Sequence, residues 1–310
     1  MTKVVSHLNG RNRPTISFIG FGEAAAAIVS GWDGRSGAVI KAYDSKTETG
    51  GSERAIMIER YALAGVEGCE TIESALAGAD AVFSLVTADQ AQAAATSAAE
   101  SLEEGALFLD CNSCAPQTKV RSAQSVAQSG GRYVDVAIMA PVRPLLHKTP
   151  MLASGPYAGA AKGFMDQLAM SVEDVEGEVG AASSIKLVRS IMTKGMEALM
   201  VECLLVGRKL GVDDVVLDSL EKTYPGFAWQ ERAGYMLERV MTHGIRRAAE
   251  LRETAKMVEV AGLTPRMSSA TAQWQQSVGE VALPYDQPAK NSADRDRRVD
   301  ELLVALSRKR

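Results

Sequence analysis

The first part of the chain alternates short apolar runs, rich in β-branched residues, with alanine-rich stretches of helical character. Strands and helices that alternate along a chain indicate right-handed βαβ units and a mostly parallel sheet. Gly, Asp and Ser residues between the runs support these boundaries. The pattern predicts strands at residues 15–20, 38–44, 80–86, 106–110, 133–139 and 151–155, with helices at 23–32, 70–79, 89–105 and 116–131.

The strand pattern ends near Ala181, and apolar residues then recur at helical spacing. Breaks are predicted at Pro225-Gly226 and between Gly262 and Pro265. We therefore expect an α/β chain with a doubly wound sheet in residues 1–180 and an all-α domain in 181–310. The predicted helices of that domain lie at 183–210, 212–222, 227–243, 245–262 and 265–279, and the tail from Asp286 is expected to end in an amphipathic helix at 299–306.

The composition narrows the class of protein. The 310 residues are 46% hydrophobic and 23% charged, which excludes disorder as the main state. A formal net charge of −4 argues against a nucleic-acid surface. No apolar run is long enough to cross a bilayer, and the first 15 residues lack a signal-peptide core, so we expect a cytoplasmic protein without a membrane partner. The four cysteines are too few and too scattered for a disulfide scaffold.

The first predicted strand leads into the turn Gly20-Phe21-Gly22-Glu23-Ala24-Ala25, which fits the pattern G-x-G-x-x-A. In this pattern the first glycine allows the tight turn, the second lets a pyrophosphate approach, and the helix N-terminus attracts the anion. Asp44 ends the second strand at the distance where an acid binds ribose hydroxyls. We expect NAD or NADP, with NAD preferred because Asp44 repels a 2′-phosphate, although Ser45 and Lys46 can offset that repulsion. The alternative is a glycine-rich turn beside a surface aspartate.

Ligands of open α/β sheets bind beyond the carboxyl ends of the strands. Val86 and Thr87 follow the third predicted strand in 80–86 and are expected to line the cofactor. Asn112 and Ser113 follow the next strand and can hydrogen-bond a substrate carboxylate or hydroxyl. The alternative for Ser113 is to cap the helix that Pro116 begins.

Cys111 and Cys114 form a C-x-x-C pair, which must be weighed as a redox or metal motif. A zinc site needs two more ligands, and the chain has only three histidines, none at ligand spacing. We therefore expect two free thiols near the site and no metal.

The segment 140–150 contains three prolines and three basic side chains. Prolines stiffen a loop, so its side chains are held in place. Arg143 is expected to bind a substrate carboxylate, and a solvated arginine is the alternative. His147 and Lys148 are weaker candidates.

Lys186, Ser190 and Lys194 are four residues apart and share one side of the first helix of the second domain. A lysine at this domain boundary can protonate or deprotonate the substrate oxygen during hydride transfer, so Lys186 is the expected general acid/base. Ser190 and Lys194 are expected to bind substrate, or Lys194 to pair with Glu197 or Glu202. A solvated helix face is the alternative.

His243, Arg246, Arg247 and Glu250 also share one helical face. A solvated stripe with an internal Arg–Glu pair is the default interpretation. The alternative is a second anion-binding edge, in which His243 and Arg246 contact an acidic small-molecule substrate.

At these residues the chain resembles the β-hydroxyacid dehydrogenase superfamily, which includes 6-phosphogluconate, 3-hydroxyisobutyrate and tartronate semialdehyde dehydrogenases. The resemblance covers the glycine-rich turn, the segments 110–116 and 140–149, and the run 180–186 that ends in the family's catalytic lysine. It implies a Rossmann-type domain, an all-helical domain that makes a homodimer, and a hydroxyacid substrate.

The chain also resembles a subgroup with a C-terminal helical domain of unknown function, through N-S-x-x-P, A-P-V, K-x-x-x-S-x-x-x-K-G and H-G-x-R-R-A-A-E. Prolines replace the usual glycines around Arg143, and Ser190 replaces the usual asparagine, so the identity of the substrate does not carry over. Two other functions stay open. One is a reductase of imines or uncharged carbonyls, and the retained Lys186 argues against imines. The other is a non-catalytic dinucleotide sensor.

Overall fold

The computed structural model describes residues 13–34, 37–281, 283, 285 and 287–308. The N-terminal segment expected to lack a signal peptide falls largely outside these residues, as do Asp286 and the last two residues of the tail. The chain divides after Lys186 into two compact units, six residues beyond the boundary predicted at 180/181. Among the described residues, no helix has both the length and the apolar character of a membrane span.

The first unit is built on an eight-stranded sheet with the order β3-β2-β1-β4-β5-β6-β7-β8. Neighbouring strands are parallel except β6 and β7, which pair antiparallel. All six predicted strands are present. The strands are β1 Thr15–Ile19, β2 Val39–Tyr43, β3 Glu67–Gly68, β4 Ala81–Ser84, β5 Leu107–Asp110, β6 Arg132–Ile138, β7 Met151–Ser154 and β8 Val172–Asp174.

Helices cover both faces of this sheet. Alternate residues of one strand enter two cores, as when Phe18 of β1 packs into one core and Ile19 into the other. Two apolar faces explain why β1, β4 and β5 are buried along their whole length. The helices of this unit are α1 Glu23–Trp32, α2 Gly51–Ala64, α3 Ile72–Leu76, α4 Ala91–Ala99, α5 Pro116–Gln128, the short α6 Val142–Leu145, and α7 Ala158–Gln167.

The described residues of the second unit form helices joined by turns and irregular segments, with no strand among them. Its helices are α8 Ala181–Leu210, which begins in the first unit, α9 Asp213–Thr223, α10 Trp229–Val260, α11 Arg266–Gly279 and α12 Ser292–Ser307. The predicted break between 243 and 245 is wrong, because α10 runs through Gly244 without interruption. Gly244 is where α11 crosses α10: a Cβ there would lie 2.9 Å from the Cα of Gly279. The glycine therefore serves helix packing and not chain reversal.

Candidate functional site

The glycine-rich turn after β1 has the geometry that a pyrophosphate requires. Gly20 has φ +82°, and a Cβ there would lie 2.5 Å from the carbonyl oxygen of Leu85, so only glycine fits. Gly22 begins α1 without a side-chain cap, and a Cβ there would meet no atom within 4 Å. The N-terminus of α1 therefore has no side-chain cap and leaves room beside Gly22, which fits an anion.

The other residues of this turn differ in how deeply they are buried. Phe21 is buried, and its ring meets those of Phe18 and Tyr61. Ala24 is half-buried, whereas Glu23 is exposed in the first turn of α1. Glu23 can therefore offer a pyrophosphate its backbone N–H but not its like-charged side chain.

Asp44 connects the end of β2 to the glycine turn. Its carboxylate accepts hydrogen bonds from the backbone N–H groups of Phe21 (2.9 Å) and Lys46 (3.1 Å). Each oxygen keeps lone pairs for a ribose hydroxyl. Arg60 of α2 donates to the Phe21 carbonyl at 3.2 Å and adds a cation near the turn. The sequence reasoning missed Arg60 because it did not predict α2.

Asn112 ties the carboxyl ends of β4 and β5 together. Its side-chain oxygen accepts from the backbone N–H of Val86 at 2.7 Å, and its amide donates to Ser84 (2.9 Å) and Asp110 (2.7 Å). Both amide hydrogens are therefore used within the protein, and contact between Asn112 and substrate stays a prediction that would involve its side-chain oxygen. Thr87, one residue beyond Val86, is exposed at the same edge.

Ser113 is the open polar group at this edge. It is half-buried, and within the described part of the chain its hydroxyl makes no hydrogen bond. The alternative in which Ser113 caps α5 is wrong, because that helix begins after Ala115 without a side-chain cap. Ser113 is thus available to a ligand.

Cys111 and Cys114 are free, buried thiols. Burial raises the pKa of Cys111 to about 12, although the ammonium groups of Lys119 and Lys186 act to lower it. Such a thiol is not nucleophilic at neutral pH. No group of three or more His, Cys, Asp or Glu side chains suited to a metal ion occurs among the described residues.

A buried ionic cluster lies beneath this edge. Lys119 of α5 bridges Asp110 (3.0 Å) and Asp135 (3.3 Å), and all three side chains are 0% exposed. Burial acts to lower the pKa of Lys119, but the two carboxylates raise it above its usual value, so the ammonium stays charged. Tyr133 donates to Asp110 at 2.6 Å. We refer to Asp110, Lys119 and Asp135 as the carboxylate–lysine cluster. The sequence analysis missed Lys119 and Asp135.

The cluster continues into the start of α8. Asp135 accepts hydrogen bonds from the backbone N–H groups of Gly180 (3.1 Å) and Ser183 (2.9 Å) and from the Ser183 hydroxyl (2.6 Å). Lys186 follows one turn later and is partly exposed. The first turn of α8 is therefore bound directly to the sheet.

The loop that carries Arg143 packs against α1. Arg143 is exposed, and no other described residue pairs with it. His147 lies so close to Gly31 that a Cβ on this glycine would collide with the imidazole. Burial lowers the pKa of His147, and Lys148 lowers it further. Gly31 is about 12 Å along α1 from Glu23, so the loop is anchored at the end of α1 that is remote from the glycine turn.

In the second unit, Lys194 is buried and bound by Glu250 of α10 and by Ser190, whose hydroxyl accepts at 3.4 Å. Burial lowers the pKa of Lys194, and Glu250 only partly compensates. Pairing of Lys194 with Glu197 is therefore wrong, because Glu197 instead forms a buried ion pair with Arg247.

The α10 face contains the expected internal pair, Arg246 with Glu250 at 3.1 Å. Burial and the neighbouring guanidinium groups of Arg239, Arg246 and Arg247 lower the pKa of His243 to about 4. The imidazole is therefore neutral at neutral pH. Any attraction that this face exerts on an anion comes from its arginines.

Comparison with known proteins shows two matched domains. Residues 15–165 match the NAD binding domain of 6-phosphogluconate dehydrogenase, and residues 208–278 match a domain of unknown function, DUF1932. The first unit is thus a domain for a nicotinamide dinucleotide, as its glycine turn indicates.

Similar solved structures extend over almost the whole chain. A conserved hypothetical protein from Sinorhizobium meliloti 1021 is 36% identical, covers 94% of this chain and 97% of its own, and has a TM-score of 0.71. A conserved protein of unknown function, described as structurally similar to 3-hydroxyacid dehydrogenases, is 28% identical over 86% of this chain and 97% of its own, with a TM-score of 0.65. The 3-hydroxyisobutyrate dehydrogenase of Mycobacterium tuberculosis, solved with L-serine, shares the fold at 16% identity, with coverages of 94% and 99% and a TM-score of 0.69.

Proposed function

We propose that this chain, which belongs to the family that joins the NAD binding domain of 6-phosphogluconate dehydrogenase to DUF1932, is a dehydrogenase of small carboxylated hydroxyacids. The glycine turn and Asp44 are the residues that would hold NAD or NADP. When it is bound, the dinucleotide accepts or donates a hydride at its nicotinamide ring. The family, the fold and the glycine turn of the first unit support the assignment as an oxidoreductase.

The observation that carries the proposal is the place of Lys186. Lys186 lies three residues beyond Ser183, whose hydroxyl donates to Asp135 at 2.6 Å. Asp135 pairs in the sheet with Asp110, at the carboxyl end of β5. In the sheet, β5 is two strands from β1, which corresponds to about 10 Å. A dinucleotide whose pyrophosphate contacts the turn after β1 is long enough to reach this edge. Lys186 would then remove the proton from the substrate hydroxyl on oxidation and return it on reduction.

Other side chains would orient the substrate. Ser113 can hydrogen-bond a hydroxyl or carboxylate at the edge of β5, where Val86 and Thr87 would line the cofactor. Arg143 can form a bidentate pair with a carboxylate. Within the second unit, Arg246 is the side chain proposed to bind an anion, together with Ser190, Lys194 and His243.

The test is Lys186→Ala, assayed at 340 nm over a panel of 2- and 3-hydroxyacids with NAD and NADP. We expect kcat/KM to fall by a factor of roughly 10²–10⁴, which is the usual contribution of general acid–base catalysis. The Kd for NADH should change less than twofold. Lys162→Ala is the matched control, since this lysine forms an exposed pair with Asp166 on α7. Turnover by Lys186→Ala at the wild-type rate would overturn the assignment.

A reductase of uncharged carbonyls or imines is the second candidate. The observation that favours it is the anchoring of the Arg143 loop on α1 at Gly31, away from the glycine turn. Turnover of uncharged ketones or imines that Arg143→Ala does not affect would select this candidate. Dinucleotide binding without turnover of any substrate class would instead indicate a sensor.

A further inference from the structure

The carboxylate of Asp135 joins the sheet to the helix that carries Lys186. We propose that Asp135, with its counter-ion Lys119, is a positioning residue that fixes the ammonium group of Lys186 relative to the carboxyl edge of the sheet. This inference rests on the proposed function, because it assumes that Lys186 exchanges a proton with the substrate.

The start of α8 is hydrogen-bonded to residues of two strands. Asp135 on β6 accepts from Gly180 and Ser183, as described above, and Ser154 on β7 accepts from the backbone N–H of Ala182 at 3.0 Å. Ser154 also donates to Asp135 at 3.2 Å. Backbone donors that a helix normally leaves to a cap or to water are thus bound by two adjacent strands. Lys186 lies three residues beyond Ser183, which is about 4.5 Å along the helix.

A charged anchor is more than helix stability requires. A neutral Ser, Thr or Asn cap is sufficient to stabilise the start of a helix. Here two carboxylates and one ammonium are completely buried, and the removal of each such ion from water is strongly unfavourable. Apolar replacements of buried ion pairs are often neutral or stabilising. An ionic cluster at the start of α8 therefore indicates selection for a fixed geometry.

The carboxylate–lysine cluster also holds the residues at the carboxyl ends of β4 and β5, where the cofactor is proposed to bind. Lys119 also donates to the Asp110 carbonyl at 2.6 Å. The Asp110 carboxylate in turn accepts from the Asn112 backbone N–H at 3.0 Å and from its side-chain amide. Asn112 holds the backbone of Val86, where the cofactor is proposed to bind. One continuous set of hydrogen bonds therefore sets the distance between the proposed proton donor and the cofactor edge.

The test compares two neighbouring serines in the first turn of α8, because removal of Asp135 or Lys119 would leave an uncompensated buried charge and risk unfolding. Ser183→Ala removes one hydrogen bond to Asp135. Ser184→Ala is the matched control, since the Ser184 hydroxyl donates only to the carbonyl of Gly180, at 2.7 Å. For both variants we would measure kcat, KM, the Kd for NADH, and amide hydrogen exchange of peptides that cover residues 180–190.

We expect Ser183→Ala to lower kcat about tenfold, because a displaced catalytic group loses rate even where binding is intact. The substrate KM and the Kd for NADH should stay within twofold, and exchange in residues 180–190 should accelerate. Ser184→Ala should match wild type in all four measurements. Faster exchange with unchanged kcat, or equal losses in the two variants, would reduce Asp135 to a structural cap and overturn the inference. An active Lys186→Ala variant would instead overturn the proposed function, and the inference with it.

Discussion

At the scale of single residues, Asp44 is the side chain that we expect to distinguish NAD from NADP. Its hydrogen bonds from Phe21 and Lys46 hold one negative charge at the end of β2. A ribose hydroxyl can donate to this carboxylate, whereas a 2′-phosphate would bring like charges together. Lys46, which can offset the repulsion, is 3.8 Å from Glu53 and is partly neutralised by it. We therefore propose that the first unit prefers NAD to NADP.

We predict that Asp44→Ser weakens NADH binding about tenfold and strengthens NADPH binding about tenfold, since each factor of ten corresponds to about 1.4 kcal/mol. Fluorescence titration of both reduced cofactors measures the two Kd values. Glu48→Ser, which removes an exposed carboxylate four residues later, should leave their ratio unchanged. An unchanged ratio in Asp44→Ser would show that Asp44 does not contact the ribose.

Local sequence patterns point to some residues of the candidate site but not to its buried charges. The turn at Gly20 and the open hydroxyl of Ser113 follow from local patterns. Lys119 did not, because a lysine on a helix is normally solvated. A signal was nevertheless present: Lys119, Ser122 and Val126 are at i, i+3 and i+7 and form the buried side of α5. A charged residue that shares the apolar side of a helix is a candidate for a buried ion pair.

At the scale of elements, sequence periodicity predicted the strands that are buried on both faces, since these form continuous apolar runs. It missed β3 and β8, which have only two and three residues and too few positions to show a period. It also missed α2, whose apolar residues Ile56, Ile58 and Leu63 are exposed, so that no buried stripe stands out.

The crossing of α10 and α11 depends on Gly244. A Cβ at this position would lie 2.9 Å from Gly279 and still closer to the carbonyl oxygen of Gln275, both backbone groups that cannot rotate away. We predict that Gly244→Ala destabilises the second unit by about 1–3 kcal/mol, the usual range for overpacking. Thermal unfolding followed by circular dichroism measures the loss.

Gly234→Ala, in the same helix, is the control for helix propensity. Its Cβ would meet the Ala289 side-chain methyl at 3.1 Å, a contact that a small shift relieves. Because alanine favours a helix by about 1 kcal/mol over glycine, we expect this variant to be neutral or slightly stabilised. Equal stability of the two variants would mean that the close crossing does not constrain position 244.

At the scale of the whole molecule, α8 carries an apolar row that its own unit leaves exposed. Val188, Met192, Leu199 and Val206 are spaced by four and seven residues and project from one side of the helix. Each is more than half exposed. An apolar row of this length is unusual on a monomer and typical of an interface. The homodimer that the family resemblance implies therefore has a candidate surface, which we call the α8 row.

We predict that Met192→Glu converts a dimer into a monomer, measured by size-exclusion chromatography with light scattering. In a two-fold interface each copy contributes the same patch, so one substitution would bury two like charges. Each unpaired buried charge destabilises the dimer by several kcal/mol. Leu263→Glu is the control, because Leu263 is 67% exposed and lies outside the α8 row. If circular dichroism shows that the Met192→Glu variant is folded and it still has the mass of a dimer, the α8 row is not the interface. A monomeric wild-type protein would contradict the homodimer itself. The α8 row would then stay exposed to water at working concentrations and would not drive association.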